Sequence, residues 1–96
     1  MKNFQPLNPL LHSELRLAIM SLLLSVKTAD FNYLKDATDA TAGNLSVQLN
    51  KLKEAEYISI DKGFKDNYPS TTCRITKKGI VAFEEYVKAL KEYLKK

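Results

Sequence analysis

The hydrophobic period of the chain changes at Tyr57, and this change limits the fold more than any other sequence feature. Three leucines before it recur at helical spacing: Leu45, Leu49 and Leu52. They predict an amphipathic helix over residues 41–55, with Thr41 as its N-cap. After Tyr57 the period is two, because Ile58 and Ile60 alternate with polar residues. A helix that runs directly into a strand predicts a domain with a small sheet.

A second alternating stretch pairs with the first to form an antiparallel hairpin. The predicted strands cover residues 57–61 and 71–75, and Thr71, Cys73 and Ile75 alternate in the second one. The intervening segment KGFKDNYPS contains Gly63 and Pro69, which favour turns. It is therefore expected to form a long, polar and basic tip.

Two helices are predicted before residue 41. The first covers residues 8–26 with Asn8 as its cap, and its apolar positions exceed one stripe. The stripe comprises Leu11, Leu15, Ala18, Ile19 and Leu22, and Leu10, Leu17 and Leu24 lie outside it. Such a helix is either central in the core or meets a second subunit. The second helix, residues 32–38, should bury Leu34 and Ala37 before the turn DATDAT.

A C-terminal helix over residues 77–95, capped by Thr76, completes the predicted fold. Its apolar residues Ile80, Phe83, Val87, Leu90 and Leu94 are spaced alternately by three and four. This seam either folds onto the chain's own core or pairs with a second chain, which is the preferred interpretation. The predicted dimerisation residues are Leu10, Leu17, Leu24, Phe83, Val87, Leu90 and Leu94. Residues 1–96 should form a single, mainly α domain of the α+β class.

The composition favours an anionic partner and an intracellular location. The net charge is +4, and five cations face two carboxylates between Ser59 and Lys78. A solvated lysine-rich surface explains these charges equally well. No apolar run approaches the ~20 residues of a membrane helix, and the N-terminus lacks the pattern of a secretion signal. With one cysteine, no internal disulfide can form, so the expected location is the cytoplasm.

The residues that catalysis requires are scarce. There is one histidine, His12, and one cysteine, Cys73, which alternates with Ile75 on the inward side of its strand. A buried, inert thiol is expected there. Asp36 and Asp39 are interpreted as capping groups. No enzyme activity, cofactor or metal site is predicted.

Three stretches resemble a known family: ADFNYLKDAT, GNLSVQLNKLKEAEYISIDKGF and PSTTCRITKKG. They are similar to the compact winged-helix transcriptional regulators related to the MarR and ArsR groups. The resemblance extends over residues 10–86. It implies a winged helix-turn-helix fold and a homodimer that binds operator DNA, with the third helix in the major groove and the hairpin as a wing.

The residues of the third helix fit this implication. If the leucines hold the helix to the body, polar side chains remain outside, where Asn and Gln suit adenine and Val47 suits a thymine methyl. Thr41 and Ser46 can reach phosphates, and Gly43 permits close approach. The predicted DNA-binding residues are Thr41, Gly43, Asn44, Ser46, Val47, Gln48, Asn50 and Lys51, with Lys62, Lys65 and Asn67 in the wing. Otherwise these residues serve only to solubilise an exposed helix.

Three positions depart from the family pattern. Asn67 stands near the wing tip where arginine is usual, which puts a minor-groove arginine contact in doubt. Glu56 stands where glycine often ends the third helix, although glutamate tolerates a left-handed turn poorly. Gln48 replaces a common histidine, which should alter base preference.

The sequence therefore predicts a sequence-specific regulator, expected to be a repressor, that binds double-stranded DNA as a homodimer. No polar cluster indicates a small-molecule effector. The alternative is a winged-helix module that binds another protein without specific DNA binding.

Overall fold

The computed structural model describes residues 3–95. Its elements are, in order, α1 (Glu14–Val26), β1 (Thr28–Asp30), α2 (Phe31–Thr38), α3 (Ala42–Glu54), β2 (Ile58–Lys65), β3 (Tyr68–Ile75) and α4 (Lys77–Lys95). This order confirms the predicted arrangement of three helices, a hairpin and a C-terminal helix.

The sheet has a third strand that the sequence did not predict. The strand order is β1-β3-β2 with antiparallel pairing, and Ala29 in β1 lies opposite Cys73 in β3. Three residues are too few to show a hydrophobic period. The strand becomes evident only in the fold, where it pairs with the edge of β3 that β2 does not occupy. By pairing with β3, β1 holds the connection between α1 and α2 against the hairpin. Asp30 at its end caps α2, because its side-chain oxygen accepts the Tyr33 amide at 2.7 Å.

The core surrounds α1, which supports the interpretation of this segment as a central helix. α1 packs against the other helices and against β1 and β3. Its fully buried residues are Ile19, Met20 and Leu23, whereas Leu15 and Leu22 are only half-buried. The buried face therefore differs from the predicted stripe, because several elements cover the helix. The expected burial of Ala37 is wrong, since α2 buries Leu34 alone.

The predicted start of the first helix at residue 8 is also wrong. Asn8 begins only a short turn, in which its side-chain oxygen accepts the Leu10 amide at 2.9 Å. Ser13 then has an extended backbone, and α1 begins after it. Two tertiary contacts hold this segment in place. Asn8 donates to the Tyr57 hydroxyl at 2.9 Å, and His12 Nδ1 lies 2.8 Å from the Tyr86 hydroxyl.

The hairpin is longer and its turn tighter than predicted. β2 and β3 pair through Lys65 and Tyr68, so the turn consists of Asp66 and Asn67 alone. Both have positive φ, 52° and 68°, as in a type I′ turn, which matches the twist of a hairpin. Gly63 and Pro69 therefore lie in strands, and the expectation that they form a long loop is wrong. Aspartate and asparagine adopt the left-handed conformation at little cost.

α4 begins as predicted, because Thr76 Oγ1 accepts the Gly79 amide at 3.0 Å. Of its apolar seam, Phe83, Val87 and Leu90 are half-buried against the chain's own core. Leu94, at the far end, is 78% exposed. Near that end the N-terminal segment lies on α4, where the Phe4 and Tyr93 rings are 4.7 Å apart. The seam thus contacts its own domain for most of its length and leaves the end uncovered.

Candidate nucleic-acid interface

α3 is held to the body by the leucines that the sequence indicated. Leu45, Leu49 and Leu52 are all buried. At the start of the helix, Thr41 Oγ1 accepts the Asn44 amide at 3.1 Å, which confirms Thr41 as the N-cap. The helix is therefore fixed along one side and at its N-terminus.

The opposite side of α3 is open. All but one of the predicted contact residues of the helix are exposed: Thr41, Gly43, Asn44, Ser46, Val47, Asn50 and Lys51. Val47 leaves half of its surface in contact with solvent. A Cβ built at Gly43 would meet nothing within 4 Å. Within residues 3–95, no segment covers this side, so its amide, hydroxyl and methyl groups can reach another molecule.

Gln48 is the exception, and it leads to a residue that the sequence reasoning missed. Its side-chain oxygen accepts a hydrogen bond from Arg16 Nη1 of α1. Its nitrogen donates to Asn44 Oδ1 at 2.9 Å. Gln48 is consequently half-buried. An arginine between leucines in an apolar helix was the available signal for Arg16.

α3 is followed by a left-handed residue, Glu56. This residue adopts a φ of 65°. The Tyr57 amide donates to the Leu52 carbonyl at 3.0 Å, and the Glu56 amide donates to the Lys53 carbonyl at 2.9 Å. These two bonds define a Schellman motif, whose left-handed position usually holds glycine. α3 therefore ends in the geometry that glycine usually provides, although the residue is glutamate, and β2 starts two residues later.

The wing distributes its polar residues over both faces of the hairpin. Side chains three positions apart on a strand point to opposite faces, so Lys62 and Lys65 diverge. Lys62 shares the face of Ile58 and Ile60, the side directed to the core. Lys65 shares the other face with its cross-strand neighbour, Tyr68. Asn67 lies in the turn itself. These two lysines cannot act on one phosphate together.

Of the other polar candidates, Asp39 ends α2 in the left-handed conformation, whereas Asp36 lies exposed inside that helix, so the interpretation of Asp36 as a capping group is wrong. Cys73 is fully buried, and burial together with the nearby Asp30 carboxylate raises the pKa of its thiol to about 11. The predicted burial of the thiol is confirmed, and the raised pKa disfavours the reactive thiolate. The described residues contain no group of three or more potential metal ligands. They also include no helix that is long and apolar enough to cross a bilayer.

Comparisons with known proteins match this geometry. The sequence profile of a family described as "winged helix DNA-binding domain" matches residues 15–94. A protein of Methanocaldococcus jannaschii, itself uncharacterized, is 37% identical over 76 residues, which are 79% of this chain and 83% of that protein.

Solved structures show the same fold. A transcriptional regulator homologue from Pyrococcus horikoshii OT3 has a TM-score of 0.84 and 28% identity, over 90% of this chain and 85% of its own. A MepR-like protein superimposes with a TM-score of 0.72 at 18% identity, over 80% of this chain and 54% of its own. A possible regulator from Methanosarcina mazei Go1 has a TM-score of 0.62 at 17% identity, over 88% and 75% of the two chains.

Proposed function

Because the chain belongs to the winged helix DNA-binding domain family, we propose that it is a sequence-specific transcriptional regulator. It binds double-stranded DNA as a homodimer and acts as a repressor. The similarity to a transcriptional regulator homologue at 28% identity supports the regulatory role.

One observation supports the DNA contact above all others, namely the open polar side of α3. A helix fits the major groove, which is about 12 Å wide. With the leucines against the body, Asn44, Ser46, Val47 and Asn50 face outward. Side-chain amides recognise base edges, and hydroxyls and helix N-termini bind phosphates. The specificity is therefore assigned to the exposed side of α3.

The wing is assigned a positioning role. Lys62 and Lys65 project from opposite faces of a two-stranded ribbon. A ribbon that enters a groove edge-on presents its two faces to the two walls. Each lysine then contacts the phosphates of a different strand, while Asn67 at the turn points into the groove. Such contacts add affinity and register without reading bases.

The homodimer is proposed from the apolar residues that the monomer leaves partly uncovered. Leu24 and Leu94 are exposed, and the other predicted dimerisation residues are half-buried: Leu10, Leu17, Phe83, Val87 and Leu90. A two-fold dimer would place two copies of α3 in successive major grooves, about 34 Å apart. The operator should then be a palindrome with that spacing.

Selection from a random duplex pool, followed by fluorescence anisotropy at two salt concentrations, tests the proposal. We expect a palindromic motif and an affinity that falls steeply with salt because counterions are released. Asn50→Ala should lose preference at one position of each half-site, whereas Asn3→Ala, beside α4 and outside the predicted contact residues, should not. Failure to bind DNA at low salt, or recovery of no motif, would refute the proposal.

A matched pair of lysine variants tests the wing. Lys65→Ala should weaken binding to all sequences alike and reduce the salt slope by about 0.9 for each phosphate that is no longer neutralised. Lys91→Ala removes the same charge from α4 and should leave the slope unchanged. Equal effects of the two variants would show that only net charge matters and that the wing makes no specific contact.

A protein partner is the second candidate, and the wing provides the observation in its favour. Phe64 and Tyr68 are 79% and 75% exposed, and aromatic side chains are enriched in protein interfaces. Phe64→Ser distinguishes the candidates. If the wing binds a protein, this variant abolishes capture of that protein without changing DNA affinity. If DNA binding declines instead, the aromatic ring belongs to the DNA interface.

A further inference from the structure

Three side chains from two helices form a continuous hydrogen-bonded row beside the exposed face of α3. Arg16 of α1 donates from Nη1 to Gln48 Oε1. Gln48 Nε2 donates to Asn44 Oδ1, one helical turn earlier, at 2.9 Å. Arg16 is anchored on its other side, since its Nε donates to the carbonyl oxygen of Leu10. The row thus extends from the fixed segment before α1 to the predicted DNA-reading surface.

The direction of every bond in this row follows from arginine chemistry. A guanidinium has only donors, so Gln48 must present its oxygen to Arg16. The nitrogen of Gln48 then faces Asn44, which must in turn present its oxygen. These bonds leave unused one N–H group of Gln48 and both N–H groups of Asn44. A glutamine or asparagine with no such partner is free to rotate and offer either end.

We propose that Arg16 is a positioning residue that sets the base preference of α3, an inference that rests on the proposed function. Arg16 binds the Gln48 oxygen and Gln48 binds the Asn44 oxygen, so both amides are held with their unused N–H groups available as donors. The guanine edge in the major groove carries two acceptors, O6 and N7, whereas adenine requires a donor and an acceptor together. The row therefore selects guanine at the positions opposite these residues, instead of the adenine that free amides suit.

The positioning role of Arg16 can be separated from a direct phosphate contact by the salt dependence of DNA binding. The guanidinium of Arg16 donates one hydrogen bond to Leu10 and one to Gln48, and the residue is half-buried. Phosphate-binding lysines and arginines contribute to the salt dependence of binding because they displace counterions. A positioning residue changes the motif without changing that slope, and this difference separates the two roles.

The first experiment needs no DNA. Nitrogen-15 relaxation of the side-chain NH2 groups should show a well-ordered Gln48 amide in the wild type, and a mobile Asn50 amide serves as the internal reference. In Arg16→Met the Gln48 amide should become as mobile as that of Asn50. Arg16→Lys keeps one donor and should restore order in part. If the wild-type Gln48 amide is already as mobile as that of Asn50, the inference is overturned whatever the protein binds.

The second experiment compares selected DNA motifs. The wild type should recover guanine opposite Gln48 and Asn44. Arg16→Met should accept adenine there, with roughly tenfold loss of discrimination between the two bases and an unchanged salt slope. Arg74→Met is the control, because Arg74 is exposed on β3 and its removal changes the net charge equally. It should leave the motif as it is.

The two experiments distinguish failure of the inference about Arg16 from failure of the proposed function. A wild type that selects no motif refutes the proposed function, and the relaxation data then decide the inference alone. A motif that is identical in the wild type and Arg16→Met overturns the inference while the function stands. A salt slope reduced by about 0.9, the value for one phosphate, with the motif unchanged, would identify Arg16 as a phosphate-binding residue and also overturn it.

Discussion

The backbone carbonyl oxygen of Tyr57 lies directly against Gly79, at a place where a Cβ would be 2.1 Å from it. The same oxygen accepts the Thr76 amide at 3.0 Å. Thr76 also donates its hydroxyl to the Glu56 carbonyl at 2.6 Å. The cap of α4 is therefore bonded to two of the three residues that join α3 to the wing. This junction sets the angle between the proposed reading helix and the hairpin.

Substitution of Gly79 tests the junction. Gly79→Ala should destabilise the domain by about 2–3 kcal/mol, because backbone must move to admit the methyl group. The melting temperature should fall by roughly 10–20 °C for a domain of this size. Gly63→Ala is the control, since a Cβ there would meet nothing within 4 Å. Equal melting of the two variants would contradict the close approach of the Tyr57 carbonyl to Gly79.

The left-handed turn at Glu56 predicts a stabilising change. Glu56→Gly should raise the free energy of unfolding by about 0.5–1 kcal/mol, because it relieves the steric cost of a positive φ at a smaller entropic cost. The ion pair with Lys78 that this change removes, 3.5 Å long and exposed, contributes little. Glu54→Gly, within α3, should instead cost about 1 kcal/mol. Urea denaturation measures both, and a destabilised Glu56→Gly would be inconsistent with the Schellman motif.

Gly43 allows stability and DNA binding to be separated. Gly43→Ala should stabilise the free protein by up to about 1 kcal/mol, since alanine favours the helix and the space is empty. If α3 lies against the DNA backbone, the added methyl should weaken binding roughly tenfold through steric overlap. Ser25→Ala, an uncharged change that also favours helix at an exposed position of α1, is the control in the anisotropy assay. Unchanged affinity in Gly43→Ala would place DNA elsewhere.

Burial of Cys73 predicts a loss of stability at alkaline pH. Its thiol pKa is raised from 9.0 to about 11 in the folded protein. Between these values the unfolded state releases the proton and the folded state keeps it, so unfolding becomes easier as the pH rises. From pH 8.5 to 10.5 the wild type should lose about 1.5 kcal/mol more than Cys73→Ala does. Parallel pH profiles for the two proteins would contradict the raised pKa.

The uncovered end of α4 tests the homodimer. Leu94→Glu should increase the dissociation constant of the dimer, because it places a carboxylate in a proposed apolar seam, and its exposure means that the monomer fold is unaffected. Lys88→Gln, on the same helix, lowers the charge equally and serves as the control. Sedimentation equilibrium measures both. A dimer of equal affinity in the two variants would remove Leu94 from the interface.

The order of elements and the burial of α3 could be predicted from the sequence because local patterns carry them. Leu45, Leu49 and Leu52 show one helical face, and the alternation after Tyr57 shows a strand. The caps at Thr41 and Thr76 were also predictable, since each depends on a hydroxyl and an amide three residues later. The exposed residues of α3 followed from the same helical period.

The features that the sequence did not predict depend on contacts between residues far apart in the chain. The turn at Asn8 failed to extend into α1 because Tyr57 and Tyr86 hold this segment from distant parts of the chain. β1 exists only because β3 offers an unpaired edge. The helical period places Gln48 on the exposed side of α3, yet Arg16, 32 positions away in the sequence, binds its side-chain amide. Periodicity reports which side of an element is apolar, whereas the partner of each polar group depends on which elements the packed core brings together.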